Sequence, residues 1–136
     1  MANQAIVVSC KRANLKRIRQ FVADALTPFA LADVLQNQLI LAVDEVCANF
    51  IIHSSNEDET KKIKVAISNK ANQLIFEISD DGKAYNPGTY REPKLQDLIQ
   101  QRRKGGVGIM LVNRIMDNVE YEVIDGRNIC RLYKTL

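Results

Sequence analysis

The stretch Leu39-Ile40-Leu41-Ala42-Val43-Asp44-Glu45-Val46-Cys47-Ala48-Asn49-Phe50-Ile51-Ile52-His53-Ser54 organises the rest of the chain. Its apolar residues recur at helical spacing and no Gly or Pro interrupts them, which predicts a long, mostly buried helix over about residues 31–54. The polar residues on that helix need a reason. Glu45 and Asn49 are four apart and therefore stack on one face, with His53 one turn further along the same line. Such a pair is either a solvated rim or the working face of a site, and the segments around it decide between the two.

Upstream, residues 4–9 are rich in β-branched side chains and predict a first strand. Leu15, Ile18, Phe21, Val22, Ala25 and Leu26 then repeat at three and four, the pattern of an amphipathic helix ended by Thr27-Pro28. Downstream, the polar run over residues 55–59 reads as a solvated turn. Ile63, Val65 and Ile67, and then Leu74, Phe76 and Ile78, alternate with mostly polar neighbours. Two strands joined at residues 69–72 would form a hairpin with one buried face. Asp80 lies two residues beyond Ile78, so its carboxylate is predicted to point to that same buried side, where it needs a partner. From Asp81 to Gly105 the pattern breaks, with Gly82, Pro87, Gly88 and Pro93 spaced through it. Connections this long are usually lids or binding loops. Gly105-Gly106-Val107-Gly108 opens a helix carrying Ile109, Leu111, Val112, Ile115 and Met116. Glycines at a helix start let a ligand approach free backbone N–H groups, and that end of the dipole favours an anion. Residues 119–124 and 128–134 predict strands around Asp125-Gly126, a tight hairpin signal.

The bulk numbers bound the rest. A chain of 136 residues with 46% apolar and 26% charged residues is one soluble globular domain. A net charge of +3 makes no case for direct nucleic-acid binding, although Lys11, Arg12, Lys16, Arg17 and Arg19 cluster in one segment. Cys10, Cys47 and Cys130 are widely spaced, and His53 is the only histidine, so a zinc site is not expected. The thiols read as reduced, in a cytoplasmic protein. No apolar run approaches membrane-spanning length, so the chain is expected to be neither exported nor embedded.

Three segments thus converge: Glu45 with Asn49 on a helix, Asp80-x-Gly82 at a strand exit, and Gly106-x-Gly108 at a helix entrance. In this order and spacing they resemble the N box and the two glycine boxes of the Bergerat-fold ATPases, the superfamily of gyrase B, histidine kinases and MutL. A Rossmann site is excluded, since no strand precedes the glycines within a βαβ unit. Within the superfamily the chain resembles the bacterial anti-sigma factor serine kinases of the RsbW and SpoIIAB type. Their N box reads Glu-x-x-x-Asn-x-x-x-His, as do Glu45, Asn49 and His53. Their first glycine box is similar to Asp80-Asp81-Gly82-Lys83-Ala84-Tyr85-Asn86-Pro87, and the end of their following helix to Ile115-Met116-Asp117-Asn118-Val119.

That resemblance implies a two-layer α/β sandwich, a mixed and mostly antiparallel sheet with helices on one face. It also implies a single domain over residues 1–136 with an ATP lid at about 88–104. The cofactors it implies are ATP and Mg2+. Asp80 would accept a hydrogen bond from the adenine amino group, with Gly82 and Ala84 beside the base. Asn49 would hold Mg2+, and Glu45 would orient or deprotonate the attacking hydroxyl. Lys104, Gly105, Gly106, Val107 and Gly108 would hold the phosphates. Ala84 stands where many superfamily members have a second glycine, and Val107 offers the phosphates only its amide. The implied partners are a sigma factor and a STAS-domain anti-anti-sigma protein, the implied assembly a homodimer. The implied activity is phosphorylation of that STAS protein on serine or threonine. A nucleotide-dependent binding module without catalysis is the alternative.

Overall fold

The computed structural model describes residues 3–81 and 106–136. Gly82, Ala84, the expected lid, Lys104 and Gly105 lie outside the described residues. Strand β1 spans Gln4–Ser9, helix α1 Leu15–Leu26 and helix α2 Asp33–Asn49. Strands β2 (Lys62–Lys70) and β3 (Gln73–Asp80) follow, then helix α3 (Gly106–Ile115) and strands β4 (Asn118–Ile124) and β5 (Arg127–Thr135).

The strands lie side by side in the order β1-β2-β3-β5-β4. All four pairings are antiparallel, so among the described residues the sheet is antiparallel throughout rather than mixed. The β2–β3 turn is only Ala71-Asn72, two residues shorter than the alternation suggested, because pairing continues to Lys70 opposite Gln73. At the β4–β5 turn both Asp125 (φ 51) and Gly126 (φ 78) are left-handed, the backbone that Asp-Gly favours in a two-residue hairpin.

Register turns the alternation into rows on one face of the sheet. Ile6, Val65, Ile78, Cys130 and Tyr121 form one row, and Ile67, Phe76, Leu132 and Val119 form the next. The row at the end of β3 runs Val8, Ile63, Asp80, Asn128 and Val123, and it places two buried polar residues side by side. Helices cover this face. Ile18, Val22, Ala25 and Leu26 of α1, and Leu39, Ala42, Val43, Val46 and Cys47 of α2, join the sheet's apolar residues in one core, with Val112 of α3. Helix α2 packs between α1 and α3, so it is the element in touch with every part of that layer.

Much of the basic cluster around α1 is tied to neighbouring carboxylates: Lys11 to Glu59 at 2.9 Å, Arg12 to Glu57 at 3.0 Å and Arg19 to Asp44 at 3.0 Å. Exposed pairs of this kind stabilise weakly. Cys10, Cys47 and Cys130 are free thiols, all buried. Among the described residues no helix is long and apolar enough to cross a membrane, and no cluster of His, Cys, Asp and Glu could hold a metal ion.

Candidate functional site

Helix α2 carries the first part of the site. Glu45 and Asn49 lie on it one turn apart, as their spacing predicts, Glu45 half-buried and Asn49 buried. Burial, and secondarily the neighbouring Asp44 carboxylate, push the Glu45 carboxyl above the usual glutamate range. The Asn49 Nδ2 is buried and has no hydrogen-bond partner among the described residues. A buried amide donor without a partner is unfavourable, and an acceptor oxygen brought by a ligand would satisfy it. His53, on the same line of the helix, is exposed.

The helix does not run on to Ser54 in α form. At Phe50–Ser54 it widens into one π-helical turn, closed by the Ser55 N–H donating to the Phe50 carbonyl at 2.8 Å. Asn56 (φ 52) and Glu57 (φ 56) then turn left-handed, and the Glu57 N–H caps the Ile51 carbonyl at 2.8 Å. Single π turns of this sort are frequent at functional sites. Here the turn leaves both Ser54 and Ser55 buried against the end of β3. The polar run expected to be a solvated turn is therefore part of the site in its first residue, Ser55, and is exposed only from Asn56 onward.

Asp80 ends β3 on the buried side, as its register predicted, and is fully buried. Its partners are now visible. The Ser55 hydroxyl donates to Oδ2 at 2.9 Å, the Ser54 hydroxyl donates to Oδ1 at 3.3 Å, and Asn128 Nδ2 donates to Oδ1 at 2.9 Å. Asn128 also donates to the Ser54 hydroxyl oxygen at 2.7 Å, closing the network. The next residue, Asp81, pairs with Arg127 at 3.0 Å, which ties the exit of β3 to the start of β5. Cys10 packs against Ser55, its thiol pushed up chiefly by burial. A carboxylate with several fixed donors is held in one orientation, which makes it a specific acceptor.

Gly106-Val107-Gly108 form the first turn of α3, whose N-terminal N–H groups lack intrahelical partners by construction. Gly108 lies against Glu45, and a β-carbon built on it would fall 2.0 Å from Glu45 Oε2 and 2.6 Å from Glu45 Cδ. The structure therefore joins Glu45 to Gly108, and joins the end of the same helix to Asp80. Sequence reasoning missed Ser54, Ser55 and Asn128. The buried register of Asp80 called for partners, but only the pairing of β3 with β5 identifies Asn128 as its neighbour.

The family described as the histidine kinase-like ATPase domain matches residues 8–134, and the chain belongs to that family. Among curated proteins it is similar to the serine/threonine-protein kinase BtrW of Bordetella bronchiseptica, 27% identical over 94 residues, covering 69% of this chain and 66% of that protein. It is also similar to the serine-protein kinase RsbW of Halalkalibacterium halodurans, 29% identical over 91 residues (63% and 54%), and to that of Bacillus subtilis, 26% identical over 92 residues (62% and 55%). The matches thus span between half and two thirds of these relatives' own length. Among solved structures, the RsbU and RsbW domains of a Mycobacterium tuberculosis protein share the fold with a TM-score of 0.72 at 12% identity, over 100% of this chain and 33% of that one. Acinetobacter baumannii histidine kinase AdeS shares it with a TM-score of 0.52 at 11% identity, over 99% of this chain and 68% of that one.

Proposed function

We propose that this chain is an ATP-dependent serine/threonine protein kinase that binds a sigma factor and phosphorylates a STAS-type anti-anti-sigma protein. The observation that carries the proposal is that one helix touches both other segments, Glu45 against Gly108 and Ser54 and Ser55 against Asp80. Nine residues at about 1.5 Å each separate Glu45 from Ser54 by roughly 13 Å. That span suits an extended nucleoside triphosphate, with its base at Asp80 and its phosphates at the start of α3. The kinase names of the relatives support the reading over passive binding.

The residues present fit Mg-ATP. Asn49 offers a buried carboxamide one turn from a carboxylate, and its Nδ2, without a partner among the described residues, would donate to a phosphate oxygen. The carboxamide oxygen suits a hard cation that keeps most of its ligands from phosphate and water. When bound, Mg-ATP supplies the phosphoryl group for transfer. Asp80 accepts a hydrogen bond from the adenine amino group, held in place by Ser54, Ser55 and Asn128. The N–H groups at the start of α3, from Gly106, Val107 and Gly108, would hold the phosphates, and the likeness of the boxes to those of the anti-sigma serine kinases adds Lys104 and Gly105 to the phosphate site and Gly82 and Ala84 to the base site. Glu45 takes the proton from the attacking hydroxyl, and its raised carboxyl makes it a better base near neutral pH. The sigma-factor and STAS partners rest on the likeness of the three boxes to the anti-sigma serine kinases. The homodimer rests on β1 being an edge strand with Val7 57% exposed, a surface suited to pairing.

The test is radiolabelled phosphate transfer to STAS proteins of the same genome. Glu45→Ala is expected to bind Mg-ATP and partner yet lose about a hundredfold to ten-thousandfold in transfer rate, the contribution of a general base. Asn49→Ala is expected to lose nucleotide binding and transfer together. Transfer that survives in Glu45→Ala defeats the base assignment. No transfer to any candidate by a wild type that binds ATP leaves a binding module in its place.

A further inference from the structure

We infer that Gly108 is a positioning residue for Glu45: glycine occupies this place because the Glu45 carboxyl group lies where any other residue would carry its β-carbon. The functional consequence rests on the base role proposed for Glu45, whereas the structural claim stands apart from it.

Gly108 is the third residue of α3, inside a helix where glycine is a poorer former than alanine. Its backbone does not call for glycine. The left-handed φ that does so is found instead at Gly126, whose surroundings are open. The three heavy atoms nearest to a β-carbon placed on Gly108 all belong to a single side chain from another helix, Glu45. A β-carbon there would meet Glu45 Oε2 at 2.0 Å, Cδ at 2.6 Å and Cγ at 3.0 Å. The overlap reaches down the side chain to Cγ, so rotating the carboxylate tip alone does not relieve it. An alanine at 108 must turn the Glu45 side chain away from the first turn of α3, the place the proposed chemistry needs it. The backbone N–H of residue 108 is untouched by that change. A glycine kept for phosphate approach would be needed whatever stood at position 45, whereas a glycine kept for Glu45 is needed only while Glu45 is present.

Thermal unfolding of Gly108→Ala in three backgrounds separates these. In the wild-type and Glu45→Gln backgrounds, where the side chain at 45 has the same shape, Gly108→Ala is expected to lower Tm. In the Glu45→Ala background the clash is gone and the better helix former remains, so the same change is expected to raise Tm by about 2–4 °C. A change of the same sign in all three backgrounds overturns the inference. If Gly108→Ala alone does not fold, the Gly108→Ala, Glu45→Ala double variant must fold, and its failure overturns the inference equally. In transfer assays Gly108→Ala should reduce kcat about a hundredfold or more, the scale of losing a placed base, with a much smaller change in the Kd for Mg-ATP. Wild type that transfers to no substrate sinks the kinase proposal, while the Tm pattern still decides the role of Gly108.

Discussion

Replacing Asn128 by alanine probes the feature that fixes Asp80. Asn128 is 1% exposed and its Nδ2 donates to Asp80 Oδ1 at 2.9 Å and to the Ser54 oxygen at 2.7 Å. A hydrogen bond to a carboxylate is worth about 1.5–3 kcal/mol and a neutral one about 0.5–1.5 kcal/mol. Water entering the vacated space recovers part of that sum, so the expected loss of unfolding free energy is about 2–3 kcal/mol. Urea denaturation followed by circular dichroism suits a protein with no tryptophan. The midpoint should fall on the order of 1 M with the slope unchanged. Asn128→Asp should be worse than Asn128→Ala, because it sets a second carboxylate against Asp80. A loss below about 0.5 kcal/mol for Asn128→Ala, within the range of ordinary surface changes, would refute the claim that this network holds the buried carboxylate.

Glu45 sets a pH dependence. Because burial pushes its carboxyl up in the folded state, the folded protein holds that proton more tightly than the unfolded chain does. Stability should therefore fall as pH rises from the ordinary glutamate value near 4.3 through the raised folded value. Glu45→Gln removes this titration, so its stability advantage over wild type should be small at pH 4 and grow toward pH 7; an advantage that stays constant across that range would contradict the assignment. The three thiols are buried, with Cys130 pushed up to about 12 and Cys47 also well above the ordinary range, in both cases chiefly by burial. A thiol reagent at pH 8 should label none of them in the native state and all of them in guanidinium, and rapid native labelling would show that the core opens.

The sequence reveals most where the pattern is local. Ile63, Val65 and Ile67 declare a buried strand face by their period, and Asp125-Gly126 declares a hairpin because both residues there tolerate a left-handed backbone. Asp80 could be aimed into the buried side by counting twos from Ile78, and burial bore that out. Its partners could not be read in the same way. Asn128 is adjacent only because β5 inserts between β3 and β4, a pairing that joins residues 48 apart. Ser54 and Ser55 reach Asp80 through a π turn, and no helical period anticipates an extra residue in one turn. Gly108 read as a phosphate-binding glycine, since its contact with Glu45 exists only when α3 packs on α2.

The central claim is that Asp80, held by Ser54, Ser55 and Asn128, receives the base of a nucleotide at the end of α2. Calorimetry of Mg-ATP binding to wild type and to Asp80→Asn tests it most directly. Loss of a hydrogen bond to a carboxylate, about 1.5–3 kcal/mol, predicts affinity about 10–150-fold weaker in the variant, with GTP a poorer ligand than ATP for wild type. Wild type that gives no heat and no thermal shift at millimolar ATP with Mg2+, or an Asp80→Asn variant that binds as tightly as wild type, would contradict it.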